Sequence, residues 1–170
     1  MGELLPKIAS KTKVVRKHQH WFHAPDSASN YAVGEFPIYL IQTEDGVFYG
    51  LPSIDGDSVK VAEHTRGTVV TTSPSDASID PDPEDTARVK KFLSQHLPGV
   101  TGDPIRHAPC FYTMTEDEHF IVGEHPEQRG LFLAAGLSGH GFKFTSVLGS
   151  GLADLVIDEQ TDVPIGFLSP

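Results

Sequence analysis

Three side chains near the middle of the chain have the chemistry for proton transfer or charge stabilisation. Lys60 and His64 stand four residues apart in "VKVAEH", so on a β-strand they share one face. Tyr49, in "VFYGLP", carries a hydroxyl that can donate or accept a hydrogen bond. Alternating solvent exposure would also produce the Lys60 and His64 spacing, and Tyr49 would also suit a core position with a satisfied hydroxyl. The residues alone leave both interpretations open.

A second candidate is Lys143, in the glycine-rich stretch "AAGLSGHGFKF". The turn contains Gly136, Gly139 and Gly141, and the pattern predicts a helix from about His140 to Ile157. A helix N-terminus is effectively positive, so a lysine in the first turn is unfavourable unless an anion lies opposite it. Lys143 is also the only basic residue after Arg129. An exposed surface lysine is the alternative.

Cys110, in "HAPCFYT", is the only cysteine, so the chain has no internal disulfide. This fits a reducing compartment, and we expect a cytoplasmic protein. A free cysteine is most often a small buried apolar residue, and a reactive thiol needs a basic neighbour that sequence spacing does not identify.

Histidines and a serine suggest two further chemistries. His18, His20 and His23 form an H-x-H-x-x-H cluster, in which His18 and His20 would share one strand face as two metal ligands could. The adjacent basic residues oppose a cation, so we favour a structural or surface role. Ser138 resembles a hydrolase nucleophile, but the G-x-S-x-G pattern requires glycine where His140 stands. A Ser-His hydrolase is therefore the weaker hypothesis.

The composition excludes several classes of partner. The formal net charge is −10 over 170 residues, which opposes binding to nucleic acid or to an anionic membrane surface. No apolar run approaches the ~20 residues of a membrane span. The 16 glycines and 13 prolines favour many turns and short strands rather than a helical bundle.

The order of predicted elements indicates an α+β protein. Strands are predicted in "KVVRKHQHWF", around the Asp45-Gly46 hairpin turn, and in "SVKVAEHTRGTVV", and such closely spaced strands favour an antiparallel sheet. After a Pro-rich linker, Asp82 and Pro83 begin a helix whose apolar positions Val89, Phe92, Leu93 and Leu97 recur at helical spacing. A strand into "FYT", then "HFIVG" and "LFLAAG", precede the last helix.

The segments "FYGLPSIDGDSVKVAEH" and "APCFYTMTEDEHFIVGEHPEQRGLFLAAGLSGHGFKFTSVLG", with the opening "LLPKI", resemble the C-terminal half of the monomeric sarcosine oxidase and N-methyl-tryptophan oxidase family. The resemblance runs from about residue 3 to 160. It implies an antiparallel-sheet substrate domain at 15–106, flanked by parts of an FAD-binding domain at 1–14 and 107–170. It also implies oxidation of a small amino acid by FAD and oxygen, with hydrogen peroxide as product.

The same resemblance implies roles for individual residues. Cys110 matches the cysteine that bonds covalently to FAD, and Lys60 matches the lysine that promotes the reaction with oxygen. Tyr49 and His64 match residues on the substrate side of the flavin. Lys143 matches the lysine that pairs with the substrate carboxylate, and Gly139 lies in the turn beneath the substrate. His140 and Gly141 would place their helix N-terminus against the flavin.

One feature of that family is missing from the sequence. No G-x-G-x-x-G turn of the kind that binds the FAD pyrophosphate occurs in these residues. We therefore expect a C-terminal portion that is inactive alone and that would need a separate FAD-binding half. The alternative is a non-catalytic module that binds a small carboxylate or a protein.

Overall fold

The computed structural model describes residues 5–24, 30–71, 73 and 76–170. Leu4 of the "LLPKI" motif, the first residues of the predicted 1–14 segment and part of the Pro-rich linker lie outside them. The strands are β1 (Thr12–His23), β2 (Tyr39–Thr43), β3 (Gly46–Leu51), β4 (Ser58–Glu63), β5 (Thr68–Val70), β6 (Pro104–Thr115), β7 (Ile121–Glu124) and β8 (Phe132–Ala135). The α-helices are α1 (Pro6–Ala9), α2 (Pro83–His96) and α3 (Thr145–Ile157), and Phe142–Phe144 and Gly166–Leu168 form 3-10 helices.

The chain divides into two compact units. Unit 1 comprises Met1–Val15, Val69–Thr71 and Phe111–Pro170, and unit 2 comprises Arg16–Thr68 and Thr72–Cys110. The predicted assignment of 1–14 and 107–170 to a flavin domain and of 15–106 to a substrate domain stays a prediction. The predicted mixture of helices and antiparallel strands is confirmed.

Unit 2 is built on antiparallel strand pairs. The strand order is β2-β3-β4-β1-β5, and β6 also pairs with β1. Register pairs Trp21 with Lys60 between β1 and β4, and Leu51 with Lys60 between β3 and β4. Since paired residues lie on the same sheet face, these three side chains share one face of the sheet.

The opposite face of this sheet packs against α2. Phe48 stacks on Phe92 with ring centroids 4.4 Å apart. The predicted cap is confirmed, because the Asp82 side chain accepts a hydrogen bond from the Glu84 N–H at 2.9 Å, and Pro83 is the first helical residue. The predicted apolar face of the helix is also confirmed by burial. The buried core of the unit includes Phe22, Phe48, Val59, Val61, Val89, Phe92, Leu93 and Leu97.

Unit 1 contains the β7–β8 hairpin, which is apolar on both faces. Ile121 pairs with Ala135, and these residues pack with Ile8 of α1. The next residue, Val122, points to the other face because side chains alternate along a strand, and it packs with Leu148 of α3. This hairpin therefore joins the short first helix and the last helix within one unit.

Two predicted element boundaries are wrong. The final α-helix begins at Thr145 rather than near His140, because the Phe144 N–H bonds to the Gly141 carbonyl and closes a tighter 3-10 turn first. Lys143 therefore precedes the α-helix and does not occupy its first turn. Strand β6 begins at Pro104, well before "FYT", as a proline can at the first position of a strand.

Candidate active site

The predicted residues Tyr49, Lys60 and His64 come together on the exposed face of the unit 2 sheet. The Lys60 Nζ lies 5.8 Å from the centroid of the Tyr49 ring, and the Tyr49 and His64 rings are 6.3 Å apart, edge to face. His64 follows β4 directly, where its N–H donates to the Val47 carbonyl at 2.7 Å. The shared face predicted from strand alternation is therefore confirmed.

Lys60 is a half-buried cation. Burial lowers its pKa, because desolvation disfavours the charged ammonium, and a thiolate at Cys110 acts in the opposite direction. Cys110, in the same unit, therefore exerts an electrostatic effect on Lys60. Cys110 is free and half-buried, which differs from the fully buried position common for structural cysteines.

Two residues that sequence analysis did not select complete this face. The Trp21 ring centroid lies 5.6 Å from the Lys60 Nζ, and the Arg106 guanidinium carbon lies 4.2 Å from the same ring. Together with Leu51 and Ile54 they line a cleft of about 450 Å³. Arg106 stands four residues before Cys110, so strand alternation could have placed it beside that cysteine, but its contact with Trp21 depends on strand pairing.

The backbone beneath His64 is held by a buried amine. Lys17, only 5% exposed, donates from its Nζ to the main-chain carbonyl of His64. This bond lies within unit 2 and anchors the chain where β4 ends. Lys17 therefore supports the position of His64 without lining the cleft.

The glycine-rich turn belongs to unit 1, where two of its glycines are required by close packing. Gly139 has φ +77°, and a Cβ there would collide with the Tyr112 ring. A Cβ on Gly141 would lie 2.5 Å from the Cβ of Leu137. These positions exclude larger residues, because one needs a left-handed backbone and both lack space for a side chain.

His140 is hydrogen-bonded within unit 1, whereas Lys143 is exposed to solvent. The His140 N–H donates to the Leu137 carbonyl at 3.0 Å, and its Nε2 lies 3.0 Å from the Glu118 carbonyl oxygen. Lys143 is exposed, with its Nζ 5.3 Å from the Phe144 ring centroid, and it has no ion pair among the residues that the structure describes. Lys143 is thus available to an external anion.

Ser138 has a structural environment that differs from that of a hydrolase nucleophile. It is 1% exposed, and its hydroxyl donates to the carbonyls of Gly136 and His119 and accepts from the Thr115 N–H at 3.2 Å. Within the described part of the chain, no imidazole contacts this hydroxyl. The weaker Ser-His hypothesis therefore gains no support from the geometry.

The histidine cluster is divided between two environments. His18 and His20 are buried with ring centroids 6.3 Å apart, as predicted for one strand face, whereas His23 pairs with Asp57 at 2.9 Å. Burial lowers the pKa of His20 to about 4. Among the described residues, no group of three or more histidine, cysteine or acidic side chains is placed to hold a metal ion.

A cleft of about 780 Å³ in unit 1 contains none of the predicted site residues. Val122, Arg129, Val156 and Gln160 are among its lining residues. In the described residues, no helix combines the length and apolar character needed to cross a membrane.

Solved structures with the same fold include an amino acid oxidase and a fructosyl amine oxidoreductase. NikD, an amino acid oxidase essential for nikkomycin biosynthesis, matches 94% of this chain and 42% of its own chain with a TM-score of 0.69 and 23% identity. Amadoriase I, a fructosyl amine oxygen oxidoreductase from Aspergillus fumigatus, matches 96% of this chain and 39% of its own with a TM-score of 0.74 and 17% identity. At these identities the similarity shows the fold.

Sequence comparison gives closer relatives. Monomeric sarcosine oxidase from Bacillus sp. (strain NS-129) is 36% identical over 174 aligned positions, covering 99% of this chain and 45% of the relative. N-methyl-L-tryptophan oxidase from Yersinia pestis (strain Pestoides F) is 33% identical over 168 positions, covering 98% of this chain and 44% of the relative. A model of the FAD dependent oxidoreductase family matches residues 2–155. Because that match spans most of its length, the chain belongs to the FAD dependent oxidoreductase family.

Proposed function

We propose that the chain takes part in FAD-dependent oxidation of a secondary or tertiary amino acid of the sarcosine or N-methyl-amino-acid type. The observation that carries the proposal is the convergence of Tyr49, Lys60 and His64 on one sheet face. The chain spans about 45% of the length of the curated sarcosine oxidase that it matches. The proposal therefore concerns the residues that this chain contributes.

The residues of unit 2 fit a flavin. Cys110 offers a free, half-buried thiol for a covalent bond, and its electrostatic effect favours the charged form of Lys60. We infer that Cys110 holds FAD covalently. Gly139 and Gly141 would contribute a small-residue backbone to cofactor binding, whereas a role for His140 would require it to exchange one of its two bonds within unit 1.

The chemistry that bound FAD supplies is two-electron oxidation of the substrate amine to an imine, coupled to reduction of oxygen to hydrogen peroxide. The protein residues bind and orient the reactants. Lys60 stabilises the negative charge that develops on oxygen, since a fixed cation in a partly dehydrated cleft acts more strongly than one in water. Tyr49 and His64, next to Lys60 on the same sheet face, would border the substrate. Lys143, exposed and without an ion pair among the described residues, binds the substrate carboxylate.

The covalent bond is tested by intact mass spectrometry of the purified chain, with flavin fluorescence on a denaturing gel. When the separate FAD-binding half is supplied during expression, we expect a mass increase equal to FAD in the wild type and its loss in Cys110→Ser. Because Cys110 is the only cysteine, no other thiol can substitute for it. An unmodified wild-type chain from cells that supply both FAD and the FAD-binding half would contradict covalent attachment in this protein.

The substrate role of Lys143 is tested on flavin-loaded protein with sarcosine and with its methyl ester. Lys143→Met removes a charge-assisted hydrogen bond to a carboxylate, so binding of sarcosine should weaken about tenfold. Binding of the ester, which has no carboxylate, should change little. Equal weakening for both compounds would contradict carboxylate recognition by this residue.

A second candidate is a module that binds a small carboxylate without turnover. This candidate is kept because the chain covers less than half of the sarcosine oxidase relative. Titration calorimetry with N-methyl amino acids, with and without FAD, separates the two. Binding that is independent of FAD, with no peroxide detected by a coupled peroxidase assay, would support the module.

A further inference from the structure

Aromatic rings and cations alternate across four strands on the exposed face of the unit 2 sheet. Tyr49 lies on β3, Lys60 on β4, Trp21 on β1 and Arg106 on β6, and each strand pairs with the next in that order. We call these four residues the ring–cation row. The row lies on the sheet face opposite α2, and its last three residues line the cleft of about 450 Å³.

Lys60 is held in this row by rings rather than by a counter-ion. Its Nζ lies 5.6 Å from the Trp21 centroid and 5.8 Å from the Tyr49 centroid, within the range of cation–π attraction. Among the residues that the structure describes, no carboxylate pairs with it. A carboxylate would neutralise the ammonium and occupy its N–H groups. A ring attracts the charge and leaves those donors free to bind a ligand. The arrangement suits a lysine whose charge acts on a ligand.

Arg106 contacts the same Trp21 ring as Lys60. Its guanidinium carbon lies 4.2 Å from the Trp21 centroid, close enough for stacking, and this contact restrains the indole. In the described residues Arg106 has no carboxylate partner either. Burial of Lys60 and stacking of Arg106 therefore both depend on the position of Trp21.

We propose that Trp21 and Arg106 are positioning residues for Lys60: Trp21 confines the ammonium beside Tyr49, and Arg106 holds the Trp21 ring in place. The proposal rests on the proposed function, because Lys60 is the residue assigned to promote the reaction with oxygen. A freely rotating lysine would spread its charge over many positions, and a confined one is already oriented.

The test is NMR of the chain without added flavin, with the lysine side chains isotopically labelled and the Lys60 signal assigned from its loss in Lys60→Arg. In the wild type, the Lys60 ε-methylene protons should show an upfield ring-current displacement. Trp21→Leu keeps an apolar side chain but removes the ring, so this displacement should shrink. Trp21→Phe should restore most of it.

Arg106 is tested by a matched pair of variants. Arg106→Gln should reduce the Lys60 displacement partially, and Arg106→Lys, which retains a cation, should preserve it. The Lys90 signal serves as the internal control, since Lys90 pairs with Asp103 at 2.6 Å on the surface and should not move. The milder Trp21→Phe and Arg106→Gln variants remain informative if Trp21→Leu fails to fold.

An unchanged Lys60 displacement in folded Trp21→Leu or Arg106→Gln would overturn the corresponding role. These readouts use no flavin, so they are independent of whether Cys110 carries FAD. Failure of the proposed function would appear instead in the intact mass and the oxidase assay, which keeps the two failures distinguishable.

Discussion

The Glu63 carboxylate, whose side chain is 1% exposed, accepts a hydrogen bond from the Nε of Arg88 at 2.7 Å. Glu63 ends β4 and Arg88 lies on α2, so this ion pair joins the sheet and the helix of unit 2. Arg88 also contacts Asp85 at 3.2 Å. One arginine thus compensates two carboxylates on the helix-facing side of the sheet.

Arg88→Met should strongly destabilise the protein. The substitution leaves the buried Glu63 carboxylate with only the longer ion pair to the exposed Arg66, whose Nε is 3.9 Å away, and removal of one partner of a buried pair typically costs about 3–5 kcal/mol. Urea unfolding at neutral pH measures the change. Lys90→Met, which breaks the exposed pair with Asp103, is the control and should cost less than about 1 kcal/mol. Similar losses in both variants would contradict the importance of burial.

Acidification should reduce stability through His20. Burial lowers its pKa to about 4, whereas the unfolded chain titrates near 6.5, so the folded state holds this ring neutral. Its contribution is complete above pH 6.5 and is lost as the pH falls from 6.5 to 4, because the unfolded state binds the extra proton. His20→Gln should flatten this part of the curve of unfolding free energy against pH. An identical slope in the variant would exclude His20 as its source.

Asp85 should have the opposite effect to His20 on how the free energy of unfolding changes with pH. Burial raises its pKa to about 6 from 3.8, so the folded state binds a proton that the unfolded state releases. This contribution is complete below pH 3.8 and is lost as the pH rises through 6. Asp85→Asn should therefore make the loss of stability between pH 6 and pH 4 steeper than in the wild type. Denaturation of both variants and of the double variant over pH 4–8 separates the two groups, and a shallower curve in Asp85→Asn would contradict this sign.

Gly139→Ala should destabilise unit 1. The new Cβ would meet the Tyr112 ring, and φ at this position is +77°. The matched control is Gly149→Ala, since Gly149 lies within α3 with nothing within 4 Å of an added Cβ. That change should stabilise the protein by up to about 1 kcal/mol through helix propensity. Equal melting temperatures for the two variants would show that the turn tolerates a side chain.

Ser138→Ala should affect stability and not hydrolysis. The Thr115 N–H would lose its acceptor in a buried site, which costs about 1–3 kcal/mol. Thermal unfolding measures that loss, and a chromogenic ester assay of wild type and variant measures hydrolysis. Ester cleavage by the wild type that disappears in Ser138→Ala would revive the hydrolase hypothesis.

Local patterns in the sequence were sufficient for several elements. Asp82 and Pro83 specify the start of α2, and the 3.6-residue repeat of Val89, Phe92 and Leu93 specifies its buried face, because capping and periodicity act over a few residues. Strand alternation likewise placed Lys60 and His64 on one face. The start of α3 could not be predicted in the same way, since helix propensity there competes with a glycine turn whose packing against Tyr112 is not local.

The residues that surround Lys60 are determined by strand pairing and not by a local sequence pattern. Trp21 and Lys60 are far apart in sequence, and a shift of one residue in their pairing would send Trp21 to the α2 side of the sheet. The register is set by which residues of β1 and β4 bury their apolar side chains against α2, a property of the assembled core. The sequence thus identifies the lysine and its strand, while the folded sheet supplies the ring and the arginine beside it.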